Sequence, residues 1–365
     1  MKAIVGMSGG VDSSLVAHIL KEQGYDIIGI SMMTYNSEHQ KKEMESATRI
    51  AKVLDVKHEI IDMTEDFKKV VISRFINDYT NGRTPNPCAL CNREIKFNLL
   101  LNKLKQYDAD IIATGHYANV VKINDRYAIK KSKNKNKDQS YLLYNVSVEQ
   151  LKYIQFPLGD MDKSDTRSMA ESFDKDVAEK KDSEDLCFIK NMDYVEFIKR
   201  EIFGEDYKID FAAGKLTNDD FNKYNYFKKG KFVDLNNNVL GYHDGIVNFT
   251  IGQRKGLNIA LGSRKYVLNI NPYDNTVVLG DDDDLFESEF YINELNFQAL
   301  DEKELKDNDE FVVKVRYRDQ GTKCKIFKKD DKILCKLDKP VRAITKGQSA
   351  VFYRDDITYF GGTII

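Results

Sequence analysis

Gly6-Met7-Ser8-Gly9-Gly10-Val11-Asp12-Ser13-Ser14, directly behind the apolar run Ala3-Ile4-Val5, decides how this chain is read. The short apolar run suits a buried first strand. Leu15-Val16-Ala17-His18-Ile19-Leu20 has helical spacing and follows Ser13 and Ser14, which suit a helix start. A loop rich in glycine and serine therefore joins strand to helix. Gly9 and Gly10 lack the Cβ that restricts other residues, so consecutive N–H groups can turn towards one anion. The helix N-terminus adds partial positive charge and free donors. Ser8, Ser13 and Ser14 supply hydroxyls, and Asp12 is placed to help hold a magnesium ion. Together these features make a cradle for phosphate or pyrophosphate.

Two common nucleotide motifs are excluded. No lysine follows the glycines as a Walker loop requires, and Gly-x-Gly-x-x-Gly is absent. Ser8-Gly9-Gly10-Val11-Asp12-Ser13 instead resembles the PP-loop of the ATP pyrophosphatase superfamily, enzymes that adenylate a substrate and release pyrophosphate. The plainer reading is an ordinary glycine loop with a helix cap. The specificity of the match, immediately behind a first strand, disfavours it.

At 365 residues the chain has room for two or three domains. A hydrophobic fraction of 42% suits a soluble globular protein, and no apolar run reaches the ~18 residues of a membrane span. The chain enters its first strand at once, leaving no room for a signal peptide, so a cytoplasmic location is expected. With 56 basic and 58 acidic side chains, the net charge of −2 does not advertise a nucleic-acid binder. Local clusters matter more than the total. Two stand out: Lys130-Lys131-Ser132-Lys133-Asn134-Lys135-Asn136-Lys137 and Arg316-Tyr317-Arg318. A lysine run is more often a solvated loop than a binding site.

Strand and helix patterns alternate through the first part: strands over 26–32, 58–62 and 109–115, helices over 43–54, 67–79 and 95–104. This rhythm implies an α/β fold, a doubly wound parallel sheet with helices on both faces. Ligands of such sheets bind beyond the carboxyl ends of the strands. Gly6, Met32 and Gly115 all fall at such ends. Residues 204–262 mix aromatics with turn signals and read as a small middle domain. From Tyr266 onward short alternating strands (266–270, 276–280, 290–295, 310–318, 323–327, 332–337, 349–353 and 361–365) suggest a β-barrel. The expected domains are a catalytic domain over 1–200, a middle domain over 201–265 and a C-terminal barrel over 266–365.

Of five cysteines, Cys88 and Cys91 lie in Arg83-Thr84-Pro85-Asn86-Pro87-Cys88-Ala89-Leu90-Cys91-Asn92. Pro85 and Pro87 favour a stiff, extended approach. Asn92 is expected to cap the following helix, so that the dipole favours a Cys91 thiolate. Cys187 ends the charged stretch Lys181-Asp182-Ser183-Glu184-Asp185-Leu186. An odd count argues against a disulfide framework. Three readings compete: buried structural thiols, a metal or iron–sulfur site on Cys88, Cys91 and Cys187, or sulfur transfer with one thiol carrying a persulfide and another resolving it. Cys324 and Cys335 flank an expected hairpin turning near Asp330-Asp331, and are assigned to packing.

Across essentially its whole length the chain resembles the tRNA-specific 2-thiouridylases. The matching stretches include the glycine loop, Gly82-Arg83-Thr84-Pro85-Asn86-Pro87-Cys88 with Cys91-Asn92, Ala113-Thr114-Gly115-His116-Tyr117 and Lys137-Asp138-Gln139-Ser140-Tyr141. They continue with Asp182-Ser183, Cys187-Phe188-Ile189, Phe249-Thr250-Ile251-Gly252-Gln253-Arg254-Lys255-Gly256-Leu257, Arg316-Tyr317-Arg318 and Gly347-Gln348-Ser349-Ala350-Val351. The resemblance implies ATP at Gly6, Met7, Ser8, Gly9, Gly10, Val11, Asp12, Ser13, Met32 and Gly115, with Mg²⁺. It implies Cys91 as nucleophile and Cys187 as persulfide carrier, the two forming a transient disulfide. Asn86, Pro87 and Cys88 would touch the target base. His116, Lys137, Asp138, Gln139, Arg316, Tyr317, Arg318 and Gln348 would contact tRNA at its anticodon arm. The sulfur would come from a persulfide-carrying donor protein. Many members have Asp where this chain has Cys88, which keeps a three-cysteine iron–sulfur site in view. A PP-loop synthetase acting on a small molecule would explain the loop but not the cysteines and barrel. A non-catalytic RNA-binding module would leave the loop unexplained.

Overall fold

The computed structural model describes residues 1–178, 180, 186–190 and 192–365. The Lys181–Asp185 part of the cysteine motif, with Asp182 and Ser183, lies outside the described residues.

The first strand, Lys2–Gly6, is central to a five-stranded parallel sheet. Asp26–Met33 and then Lys57–Asp62 lie on one side of it; Ile111–Ala113 and then Ile154–Gln155 lie on the other. Ala3, Ile4 and Val5 are wholly buried. Ala3 and Val5 pack with Leu15, Val16, Ala47 and Ile50, while Ile4 packs with Phe97, Leu100 and Leu104. Helices Val11–Glu22 and Glu38–Val53 thus cover one face and Asn98–Tyr107 the other. This is why the first strand is apolar without alternation. Strand order reverses between Lys2–Gly6 and Ile111–Ala113, the switch point at which doubly wound sheets open a crevice.

Two helices differ from expectation at their starts. The helix expected over 95–104 begins at Pro87 and runs through Pro87–Cys91, a wide π-type turn Asn92–Phe97, and Asn98–Tyr107. Its cap is Asn86, whose side chain accepts from Ala89 N at 3.3 Å, and Pro87 occupies the first turn, where its missing N–H costs nothing. Asn92 is inside the helical run and caps nothing. The helix expected over 67–79 likewise runs from Thr64 through a π-type turn, Lys68–Ile72, to Thr80.

The C-terminal region closes a six-stranded antiparallel barrel from Phe286–Phe297, Lys332–Arg342, Thr322–Lys329, Asp309–Lys314, Ser349–Arg354 and Ile357–Ile364. Pairing of Ile292 with Ile364 and of Phe297 with Phe360 seals it, leaving no edge among these strands. The hairpin at Asp330-Asp331 forms as expected, with Asp330 at φ +53°. Cys324 pairs with Leu337 and Cys335 with Ile326, so the two thiols are diagonal neighbours on the core face.

Two strands expected to open the barrel do not belong to it. Tyr266–Asn271 and Thr276–Gly280 join Lys229–Val233 and Val239–Asp244 in a separate four-stranded sheet. Alternation identifies a strand but not its partner. The barrel sheet instead gains the hairpin Ala118–Ile123 and Arg126–Lys131 from the first part of the chain, through Ile357 beside Lys130. Lys130 and Lys131 of the lysine run are therefore strand residues. The strand expected to continue to residue 318 stops at Lys314, and Arg316-Tyr317-Arg318 forms a turn fixed by Asp319, which accepts from Val315 N at 3.0 Å.

Candidate active site

The glycine loop leaves its strand along the neighbouring one: Met7 N donates to Ile30 O at 2.9 Å, and Ser31 Oγ to Met7 O at 2.6 Å. Gly9 has φ +75°, and a Cβ there would lie 2.3 Å from the Glu43 carbonyl oxygen of the packed helix. No side chain fits. Ser13 Oγ accepts from Ser8 N at 3.1 Å and donates to Gly10 O at 3.2 Å, which folds the loop back on the first helical turn. Gly10 begins that helix with no side-chain cap, leaving first-turn N–H groups for an anion. Gly6 and Gly115 close the crevice: a Cβ on Gly6 would meet Thr114 at 3.1 Å, and one on Gly115 would meet Ser13 N at 2.9 Å. Met32 lies near the carboxyl end of the adjacent strand.

Two lysines reach the loop from far along the chain. Lys163 Nζ lies 2.7 Å from Asp12 Oδ1, which also accepts from Tyr117 OH at 2.8 Å. Lys180 Nζ donates to Gly9 O at 2.9 Å and contacts Ser46 Oγ. Asp12, expected as a magnesium ligand, thus already holds a cation. One carboxylate beside a phosphate cradle still suits Mg²⁺, which takes few protein ligands and completes its shell with phosphate oxygens and water. Lys163 follows the last strand of the sheet, and that position at a carboxyl end is the only sequence signal for it. Lys180 has none.

The cysteines are brought together around Lys96. Cys88 and Cys91 are half-buried, Cys187 is exposed as a residue, and all five thiols of the chain are free. Each of the three feels the charge of Lys96, and Cys187 is electrostatically in reach of both others. Burial pushes Cys91 up to about 12 and Cys88 up to about 11; the Lys96 ammonium opposes both shifts. Crowding around the Cys187 sulfur also raises it, against a hydrogen bond with Thr34 that lowers it. The expected dipole-favoured Cys91 thiolate is therefore not found. Cys91 ends the first helical turn, inside a continuous run, and desolvation dominates.

Lys96 is itself fixed. Its Nζ donates to Asn92 Oδ1 at 2.9 Å and lies 3.4 Å from His116 Nε2, while His116 Nδ1 meets Thr114 Oγ1 at 2.8 Å. Burial and the Lys96 charge hold His116 well below the usual histidine range, so it is neutral. This chain of contacts ties the thiols to Thr114-Gly115 on the loop's rim.

Among the described residues, no three His, Cys, Asp or Glu side chains are gathered as a metal ion requires. Cys88, Cys91 and Cys187 are thus not gathered about a single metal ion, and no step is assigned to iron and sulfide.

Several residues expected at the RNA have internal partners. Asp138 is buried and accepts from Ser132 N, Ser140 N and Ser140 Oγ. Gln139 exchanges hydrogen bonds with the Tyr117 backbone at 2.9 Å each way. Gln348 donates to Thr84 O and Pro85 O, and Asn86 Nδ2 to Ser349 Oγ at 3.0 Å, so the barrel grips the approach to Pro87 and Cys88. Tyr317 and Arg318 are exposed and Arg316 and Lys137 half-buried. Tyr317 feels the charges of Asp138, Lys137 and Arg318 and lies in reach of Cys88. The barrel turn thus comes near Cys88.

Residues 1–191 match the family described as tRNA methyl transferase HUP domain, 219–281 its PRC-barrel domain and 287–365 the aminomethyltransferase beta-barrel domain. The chain is 41% identical over 377 residues to the tRNA-specific 2-thiouridylase MnmA of Lachnoclostridium phytofermentans, covering 100% of this chain and 99% of the relative. It belongs to the tRNA-specific 2-thiouridylase family. The MnmA of Clostridium acetobutylicum is 42% identical over 374 residues, with coverage of 100% and 99%. As a tRNA 2-thiouridylase family member the chain carries the family's ATP-using PP-loop domain, followed by a middle β-sheet domain and a closed barrel. Among the described residues, no helix is long and apolar enough to cross a membrane.

Proposed function

We propose that this chain replaces the C2 oxygen of the wobble uridine of tRNA with sulfur. One observation supports the reading: three thiols gather about Lys96, and contacts through His116 and Thr114 link Lys96 to the rim of an uncapped glycine loop. An anion cradle alone would suit many synthetases. Clustered thiols beside it suit sulfur transfer.

The uracil O2 is a poor leaving group, so it attacks the α-phosphorus of ATP and pyrophosphate departs. The loop N–H groups, with Lys163 and Lys180 nearby, stabilise the charge that develops there. Mg²⁺ neutralises the phosphates when it is bound. The adenylated carbon is then attacked by sulfur and AMP leaves. That sulfur is the terminal atom of a Cys187 persulfide, whose S–S bond Cys91 then breaks by attacking the Cys187 sulfur so that the 2-thio base leaves, or hydrosulfide released when Cys91 makes that attack first. Either route ends in a Cys91–Cys187 disulfide, and a thiol reductant supplies the two electrons that reset it. The base must be everted to reach the crevice, past Asn86, Pro87 and Cys88. Lys137, Arg316 and Arg318 would meet phosphates of the anticodon arm.

The test uses purified protein, ATP, Mg²⁺, a persulfide-carrying donor protein and unmodified tRNA. Sulfur incorporated into tRNA with matching AMP release supports the reading. Pyrophosphate release indifferent to tRNA would assign the chain to small-molecule synthesis instead.

A further inference from the structure

Sulfur transfer through Cys187 and Cys91 leaves a third free thiol, Cys88, idle. Cys88 and Cys91 stand three residues apart on one helix, Pro87–Cys91, so their side chains share a face. Helix geometry puts their Cα atoms about 5 Å apart, inside the ~4.4–6.8 Å span of disulfides. Their Cβ atoms, ~5–6 Å apart on a regular helix, must close by about 2 Å to bond. This helix has that slack. Leu90 N reaches Asn86 O only at 3.5 Å, and the Asn92 N–H is shared between Cys88 O and Ala89 O. The wide π-type turn Asn92–Phe97 follows at once.

Cys91 also meets the segment of Cys187. It packs against the apolar cluster that takes Leu186, Phe188 and Ile189 from either side of that thiol. Each of the three sulfurs is within electrostatic reach of the other two. The transfer chemistry ends in a Cys91–Cys187 disulfide, and while that bond stands Cys187 cannot accept another sulfur.

We propose that Cys88 is an internal resolving thiol, which attacks the Cys91 sulfur and releases Cys187 for reloading; the inference rests on the sulfur-transfer reading above. One S–S bond forms, Cys88–Cys91, as Cys91–Cys187 breaks. The proton lost by Cys88 ends on Cys187, and no electrons enter or leave. The Lys96 ammonium, felt by all three sulfurs, steadies the thiolate in passage. The thiol reductant then opens Cys88–Cys91 with two electrons and two protons. Burial leaves only about one Cys88 in ~10⁴ as thiolate at neutral pH. Proximity outweighs this, because effective molarities of held reactants reach ~10⁵ M and above.

The test is one turnover without reductant. One equivalent of donor protein carrying radiolabelled persulfide is given to the chain with ATP, Mg²⁺ and unmodified tRNA. Acid then stops exchange, N-ethylmaleimide blocks free thiols, and peptide mapping reads the disulfides. Wild type should show Cys88–Cys91 with Cys187 blocked, and a second equivalent of charged donor, added before the quench, should place a further labelled sulfur on Cys187. Cys88→Ser should stop at Cys91–Cys187 and take up none. The wild-type map decides even where the variant is inactive. Wild type halting at Cys91–Cys187 with Cys88 blocked, or forming Cys88–Cys187, would overturn the proposal. So would sulfur transfer to tRNA that leaves all three thiols free. A wild-type chain that puts no sulfur into tRNA would instead sink the functional reading beneath it.

Discussion

The side-chain amide of Gln348 donates to the Thr84 carbonyl at 3.0 Å, across 264 residues of chain. It reaches Pro85 O as well, and Thr84 N returns a bond to Lys346 O at 2.8 Å. The barrel thereby sets the line along which the chain approaches Pro87, Cys88 and Cys91. Gln348→Ala removes both side-chain bonds, worth about 1 kcal/mol each. We expect thiolation kcat to fall roughly tenfold, with the melting temperature lowered by only about 3 °C. A loss confined to tRNA affinity would mean that Gln348 serves the RNA and not the segment.

Cys91→Ser and Cys187→Ser should each abolish thiolation while tRNA binding, read by filter retention, survives. Full turnover by either variant would remove that residue from the mechanism.

The raised thiols have a pH consequence. With Cys91 near 12 and Cys88 near 11, the thiolate fraction is small at neutral pH, and alkylation should keep rising beyond about pH 9. Lys96 favours the thiolate, so Lys96→Met should move the Cys91 profile to still higher pH and slow labelling at any fixed pH. Mass spectrometry after timed iodoacetamide treatment reads this site by site. A profile that Lys96→Met leaves in place would detach the ammonium from the thiols.

Asp12 holds Lys163 over the anion cradle. Asp12→Ala should block tRNA-dependent pyrophosphate release, and Lys163→Met should slow it by about tenfold or more. Pyrophosphate release at the wild-type rate in Asp12→Ala would refute the placement of ATP there.

His243 is buried between Phe232 and Phe249, and burial holds it down to about 4. An unfolded chain takes up this proton near 6.5, the folded one only near 4. Stability is therefore complete above about pH 6.5 and declines as pH falls towards 4, by up to roughly 3 kcal/mol. Melting curves from pH 8 to 4.5 should show the decline. His243→Phe should flatten it even if its own stability is lower.

What the sequence made legible was local. The loop at 6–14 is written in consecutive residues, and the run Ala3-Ile4-Val5 announces a strand buried on both faces. Lys180 was hidden because nothing near it in sequence encodes proximity to Gly9, and Lys163 was marked only by its place beyond a strand's carboxyl end. Asn92 misled because a good capping residue also works inside a helix, where its side chain joins Leu142 O to Lys96. The helix had already begun at a better cap, Asn86. Strands 266–271 and 276–280 were recognised but given the wrong neighbours, since alternation carries no register. Asp138 and Gln139 were legible as a motif, and only the fold shows that their side-chain oxygens also shape the loop.

The pairing of Lys130 with Ile357 joins the front of the chain to its last strand. Arg126 adds bonds to Phe297 O and Gln298 O, and Gln298 reaches back to Leu143, Tyr144 and Val146. Modularity in the gene is thus not modularity in space. A fragment cut after residue 191 would carry a bare β-edge and orphaned carbonyls at Leu143, Tyr144 and Val146, inviting self-association, and swinging the barrel aside would break these bonds together with the Lys130–Ile357 pairing.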